Sequence, residues 1–588
     1  MRRTPTLVLV LAAPALALLA LAGARHLAPR AHGQDAAPGV VVEGLAGEGR
    51  VAAPANVLEG HFATSLACAR CHASAPGAQA MRDSAGRSVA PFDLWRSSMK
   101  ANAARDPLWR AAVAAEVAAT PAARAEIEAD CARCHLPMAA EEARRRDLPV
   151  DLKLLGRDDA LGQLARDGVS CTVCHQIDPA NLGKPESFAG GWKIGDERKI
   201  YGPHADPFPT AMQRFTGFTP THATHMRSAG LCATCHVQIA ATLEPDGTHS
   251  GHRLVEQASY LEWRNSDFRD EPPAPGASPA SCAACHFPIT DASGAMIVTK
   301  IARNPGGRDF PGIDPRAPFG RHVLVGGNTL LPAIFRDHGA ELGVLAPPEA
   351  FGDTLARARE QLQTRTARLA LEGVAREGDL LVGRARVENL TGHKVPTGFP
   401  LRRLWLRVRV TDGAGRVVFE SGGHDDAGRL VGPDGAVRAS EQLGGPVEPH
   451  RGRVAGPDDV VVWEAVMADP AGQPTFRVRR GARFLKDDRL LPRGWRPDHP
   501  DAAATAPVGV AEDPGFGPGG ATVALALPVG DAAGPLALEV DVLYQPLAAR
   551  FAAELLAFDA PEIARFRRYW ELADRRPERV ARAEARVE

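Results

Sequence analysis

Aromatic residues make up only 5% of this 588-residue chain, too little Phe, Tyr and Trp area to build a core of that size in the ordinary way. Charge of one sign is missing as well. Lys plus Arg number 69 against 70 for Asp plus Glu, a formal net charge of −1, so no basic field points to nucleic acid. No nucleotide-binding loop, zinc-hydrolase motif or nucleophile constellation is found. Cysteine is present but none is spare: all 10 fall into five short motifs, which excludes framework disulfides and a lone catalytic thiol.

The motifs are Cys68-Ala-Arg-Cys71-His72, Cys131-Ala-Arg-Cys134-His135, Cys171-Thr-Val-Cys174-His175, Cys232-Ala-Thr-Cys235-His236 and Cys282-Ala-Ala-Cys285-His286. Each reads as a c-type haem attachment site. Two thiols three residues apart can add to the two vinyl groups of one porphyrin, and the adjacent histidine reaches its iron. Zinc ligands or a redox dithiol would also use paired cysteines. Neither calls for a histidine after the second cysteine five times out of five. Five covalently bound haems are expected, and their flat faces would supply the apolar area that the aromatics do not.

The organisation expected along the chain is a signal peptide or N-terminal anchor over 1–25, a flexible linker over 26–57 and a pentahaem domain over 58–362. An all-β sandwich-like domain over 363–547 and a C-terminal helical tail over 548–588 follow. Residues 1–25 open with Arg2 and Arg3 ahead of an uncharged apolar run, a secretory pattern whose length also allows membrane anchoring. The haem-bearing part reads as mainly α and irregular, with helix signals between the first two motifs and Gly- and Pro-rich loops between 181 and 221. The motifs start at 68, 131, 171, 232 and 282, an uneven spacing that argues against a simple repeat. After about residue 362 the runs 403–410, 460–464 and 536–544 alternate as half-buried strands, with turn signals at 412–415 and 433–435.

The segments around 167–175, 231–236, 261–266 and Thr391-Gly-His-Lys-Val-Pro-Thr-Gly398 resemble bacterial multihaem cytochromes c, in particular the branch related to the tetrahaem cytochrome of ammonia oxidation. The resemblance covers roughly residues 60 to 420, and the β-rich part reads as an extension to it. It implies that histidines remote in sequence cap the irons opposite His72, His135, His175, His236 and His286. His204, His225, His322 and His393 stand in suitable phrases; His222 competes with His225, and His61, His249, His252 and His338 are reserves. Capping by His393 would staple the β domain to the haem domain through a coordination bond. Related cytochromes often place a ligating histidine or methionine near Met99 and Lys100, so Met99 is the expected fifth cap, with Lys100 or an open iron as alternatives. Met138 reads as haem packing.

The function expected from these residues is an exported electron-transfer protein, periplasmic or at the outer cell surface, relaying electrons between redox proteins or quinol-linked donors in a respiratory chain, including anaerobic respiration. Export suits c-type attachment, and the N-terminal segment offers a route to membrane association. A second reading is an oxidoreductase of a small nitrogen or sulfur compound at one five-coordinate haem, and a third is a structural or partner-binding haem protein. The enzyme question turns on whether every iron has a sixth ligand.

Overall fold

A computed structural model describes residues 52–588; the expected leader and most of the linker lie outside the described residues. Each CxxCH motif forms or ends a helical turn, which sets its two cysteines, three residues apart, on one face. The helices that matter for the site are α1 (Ser65–His72), α2 (Pro107–Ala119), α3 (Arg124–His135), α4 (Cys171–Cys174), α5 (Ala229–His236) and α6 (Cys282–His286). After them come α7 (Leu330–Leu342) and α8 (Pro348–Arg365). Local chemistry fixes the start of α2: Asp106 accepts from the Leu108 and Trp109 amides at 2.9 and 3.1 Å, and Pro107 takes the first helical position.

The C-terminal part is antiparallel β structure apart from one short parallel pair. β1 (Ala367–Glu377) and β2 (Leu380–Asn389) form a hairpin through Gly378, whose φ of 58° suits glycine. β3 (Arg403–Thr411), β4 (Val417–Ser421), β5 (Val462–Ala468) and β6 (Arg483–Asp487) follow, then β7 (Gly520–Pro528), β8 (Leu536–Gln545) and β9 (Glu578–Val587). One sheet runs β5-β3-β8-β9, with β4 beside β3, and β6 and the short strand Pro474–Thr475 beside β5. The other runs β7-β2-β1, flanked by Arg453–Val454 and Phe516–Gly517. Between them lies a core that includes Leu381, Val387, Leu404, Leu406, Val408, Val410, Val523, Leu525, Val540 and Val542. The alternation of β3 holds over Leu406–Thr411. At its start Trp405 is buried on the opposite face, against Leu430, Val460, Val462 and Leu543.

Two expectations need correction. The β structure starts at Ala367, because α8 runs on to Arg365 and buries Leu362 in the β core. The segment 548–588 is not a helical tail throughout. Helices α9 (Ala549–Leu555) and α10 (Pro561–Leu572) are followed by β9, which pairs along β8 with Val540 opposite Ala583. The period-two run of partly buried Ala581, Ala583, Ala585 and Val587 belongs to a strand, with buried Val580 at the bulge that precedes it. Alanine, the strongest helix former, hides that period from a reading by propensity. Helices α9 and α10 return to the haem-bearing half, where Phe551, Phe566, Tyr569 and Trp570 share a core with Leu108 of α2 and Phe335 of α7.

The halves also meet through buried polar contacts, and the described residues form one compact unit. Glu262 accepts from the Lys394 amide at 3.1 Å and from Thr397 Oγ1 at 2.6 Å, and pairs with Arg489 at 3.2 Å. Lys394 Nζ reaches Asp487 at 2.6 Å, and Arg264 pairs with Asp501. The staple visible beside His393 is therefore an ion-pair network. Among the described residues no helix is long and apolar enough to cross a membrane.

Candidate haem-binding site

All five CxxCH motifs line one connected cavity of about 1870 Å³ between the helices and the start of the β structure. Its walls are largely apolar, as a porphyrin face requires, and it reaches from Phe215 and Phe310 at one side to Phe476 and Phe551 at another. This arrangement fits the group that the motifs imply.

Four of the motif histidines are oriented alike. Nδ1 of His72, His135, His175 and His286 lies against the backbone carbonyls of Ile301, Ala103, Tyr201 and Val325 at 3.0, 3.2, 2.6 and 2.6 Å. With the proton on Nδ1 donated to the carbonyl, Nε2 keeps its lone pair for a metal. Burial lowers the pKa of all four, that of His135 to about 4, so the rings stay neutral as ligands must. Trp109 stacks on His135 with centroids 4.3 Å apart and 3° between planes, fixing that ring. The fifth, His236, differs: its Nε2 stands 2.8 Å from Lys100 Nζ.

The residues expected to cap the irons divide. His204, His322 and His393 line the cavity; His225 does not, and its Nε2 instead lies 3.0 Å from Ile177 O while its ring packs edge-on to Tyr201. His322 faces His175 with centroids 6.3 Å apart and 19° between planes, and its Nδ1 is turned to Gly320 O at 3.1 Å. Two imidazoles bonded to one metal through nitrogens about 2 Å from it would have centroids about 6 Å apart, so this pair has the spacing of a bis-histidine site. Burial lowers His322 to about 4. His393 has Nδ1 on Lys394 O at 2.9 Å and lies near enough to His286 and Arg402 to be affected by their charge. Burial lowers His204, and Arg227 and Arg316 add to it.

Met99 lines the cavity and packs against the cluster of Leu108, Ala111 and Ala115. His61 and His249 are engaged by Glu142 and Glu126 at 3.0 Å each, His338 packs on Tyr569, and His222 and His252 are exposed. Met138 is fully buried beside Val173 of the third motif and receives Thr172 Oγ1 at 3.3 Å.

The cysteine thiols, which stand where thioether sulfurs would be once haem is attached, show how the sockets adjoin. Cys171 lies near enough to Cys68, Cys134 to Cys235, and Cys232 to Cys282 for each thiol to perturb the ionisation of its neighbour. Cys174 lies close enough to Cys232 and Cys235 for charge to act between them. The first socket thus touches the third, and the fourth adjoins the second, third and fifth.

Sequence reasoning missed a pair of acids beside the second socket. Glu116 and Glu256 are buried, line the cavity, and each has an Oε2 with no hydrogen-bond partner. Burial lifts them to about 7 and about 8, and their charges act on Cys131. Only the fold brings helix α2 against the strand that ends at Gln257, so no local signal announces them.

Among known families, the one described as "Cytochrome c554 and c-prime" matches residues 67–176, a stretch that holds the first three motifs. The match and its motifs make covalently bound c-type haem the cofactor class and mark the chain as similar to multihaem c-type cytochromes. No curated protein matches. Among solved structures, a penta-heme cytochrome c552 from Thermochromatium tepidum is similar at 15% identity with a TM-score of 0.49. The likeness covers 90% of this chain and 99% of that one.

Proposed function

We propose that this chain is a pentahaem electron-transfer protein, one haem on each CxxCH motif, which passes electrons between redox proteins or quinol-linked donors in a respiratory chain. The observation that carries the reading is the adjacency of the sockets: all five line one cavity, with thiols of neighbouring motifs within electrostatic reach of one another, the arrangement a conducting series of haems requires. His72, His135, His175, His236 and His286 hold the irons on one side. His322 caps the iron of His175, and His204 and His393 serve two of the others. Haem supplies reversible one-electron chemistry at each position. The chain orients four of the five rings through backbone carbonyls and keeps them neutral by burial. Export to the periplasm or outer surface belongs to this reading and rests on the sequence of residues 1–25.

The test is a haem count with a reductive titration of the full protein. Five haems per chain that exchange electrons rapidly with one another support the relay. A chain loaded with fewer, or haems that reduce independently without equilibrating, would sink it.

The pair Glu116 and Glu256 favours a second reading, in which the second haem reduces or oxidises a small nitrogen or sulfur compound. Two buried carboxylates with free oxygens could deliver protons there. That reading predicts one high-spin ferric haem that takes up cyanide and loses it on His135→Ala. Five low-spin haems with no cyanide uptake count against it.

A further inference from the structure

Lys100 is placed with unusual care for a lysine. Trp95 Nε1 donates to Val169 O at 3.0 Å, and the Val169 amide donates to Lys100 O at 3.0 Å, strapping the 95–100 turn to the segment that enters the third socket. Asn102 Nδ2 ties the same turn through Arg96 O and Ser98 O at 3.2 and 2.8 Å. Gly168 has φ +67°, and a Cβ there would stand 3.0 Å from both Lys100 O and Ala101 O, so the close approach needs glycine.

The turn aims the side chain into the cavity where four sockets meet. It lies within electrostatic reach of Cys134, Cys174, Cys232 and Cys235, and of the rings of His135 and His286. None of these supplies a carboxylate. The lysine ion pairs among the described residues belong to Lys199, Lys394 and Lys486. Instead Lys100 Nζ points at the Nε2 of His236, 2.8 Å away. A neutral amine would be a metal ligand.

We infer that Lys100, through its Nζ, is the sixth ligand of the iron that His236 holds. This rests on the reading that the motifs carry haem. Two nitrogens on opposite sides of one metal stand about 4 Å apart, so the flexible lysine stem has about one ångström to yield. His322 is engaged opposite His175, and His393 lies by His286. The fourth haem, which adjoins three others, is then ligated differently from the bis-histidine haem beside it. That sets the junction of the relay at its own potential.

The experiment uses the full haem-loaded protein with Lys100→Ala, Lys100→Arg and Lys100→His, read by electron paramagnetic resonance and near-infrared magnetic circular dichroism. Wild type should show one low-spin haem with imidazole and amine ligands. The Ala variant, and the Arg variant with its permanently charged guanidinium, should each convert one haem equivalent to high spin and take up one more cyanide per chain. The His variant should regain low spin with a bis-imidazole signature. Unchanged spin count and cyanide uptake in the Ala and Arg variants would overturn the inference. If the Ala variant loses haem, the His variant decides: full haem with an altered low-spin signature supports ligation, and an unaltered one rejects it. A wild type with fewer than five haems would instead reject the reading beneath the inference.

Discussion

The two halves of this molecule fill their interiors with different material. In the β half, strands β3, β7 and β8 bury Leu404, Leu406, Val408, Val523, Leu525, Val540 and Val542 in one core that closes on itself. In the haem-bearing half, apart from the core that α2 and α7 share with α9 and α10, the apolar clusters are small and separate. Phe62 with Met138 and Val173, Met81 with Phe319, and Phe188 with Tyr260 and Trp263 stand around a cavity and not against one another. That cavity is lined by all five CxxCH motifs, so on the proposed reading the porphyrins complete this core. The low aromatic content of the chain is the sequence-level trace of that exchange.

The strongest way to break the comparison is to take away the haem. Replacing both cysteines of every motif by alanine should leave the region 58–362 open to protease, while strands between 367 and 587 stay protected. Limited proteolysis with mass spectrometry reads this directly. Equal protection of both regions would mean that the haem-bearing half holds itself together.

The seam between the halves comes next. Glu262 is fully buried and holds the Lys394 amide, Thr397 and Arg489 together. Glu262→Ala leaves Arg489 short of a partner and should cost about 3–5 kcal/mol, read as a drop in urea midpoint. A loss under about 1 kcal/mol would show that the halves are joined by apolar contact alone.

A cavity in the β core should stay in the β half. Leu406→Ala removes a side chain that is 1% exposed and should cost about 2–5 kcal/mol. The haem absorption spectrum should not change. A spectral change would mean that the β core sets the shape of the haem cavity.

Much of this was legible in the sequence because it rests on short-range chemistry. The five motifs are legible by spacing alone, and the strands over 403–410 and 536–544 from an alternation that the burial follows only in part. The sixth ligands are a different matter. His225 stands in a phrase as suggestive as that of His322, yet the fold turns one to a backbone carbonyl and the other to His175. Met99 and Lys100 are neighbours in the chain, and only the turn pinned by Trp95, Asn102 and Gly168 decides which of them points at His236. The strand β9 was hidden by alanine, whose helix preference is overridden by the exposed edge of β8.

The smallest effect is also the one that separates the halves by pH. At the seam, burial pushes Asp487 up but Arg489 and Lys394 outweigh it and hold its carboxyl below the usual range. Its contribution is present above the ordinary carboxylate pKa and is lost as pH falls through the lowered value. Glu116, in the haem-bearing half, runs the other way. Burial lifts it to about 7, against the pull of the Val478 and Arg479 amides and the charges of Arg477 and Arg479. The folded state therefore holds a proton that the unfolded state releases near pH 4.3. The stability this gives is complete below that pH and lost as pH rises through about 7. Glu116→Gln keeps an oxygen for the Val478 amide, which Glu116 Oε1 accepts at 2.6 Å, and removes the titration. The variant should match wild type at pH 4 and exceed it at pH 8 by an amount on the order of 3 kcal/mol. Glu256, lifted to about 8 mainly by burial and further by Glu116, should ease in the same direction. Thermal unfolding of both proteins at the two pH values checks this, and an equal difference at both would remove Glu116 as a buried titrating acid.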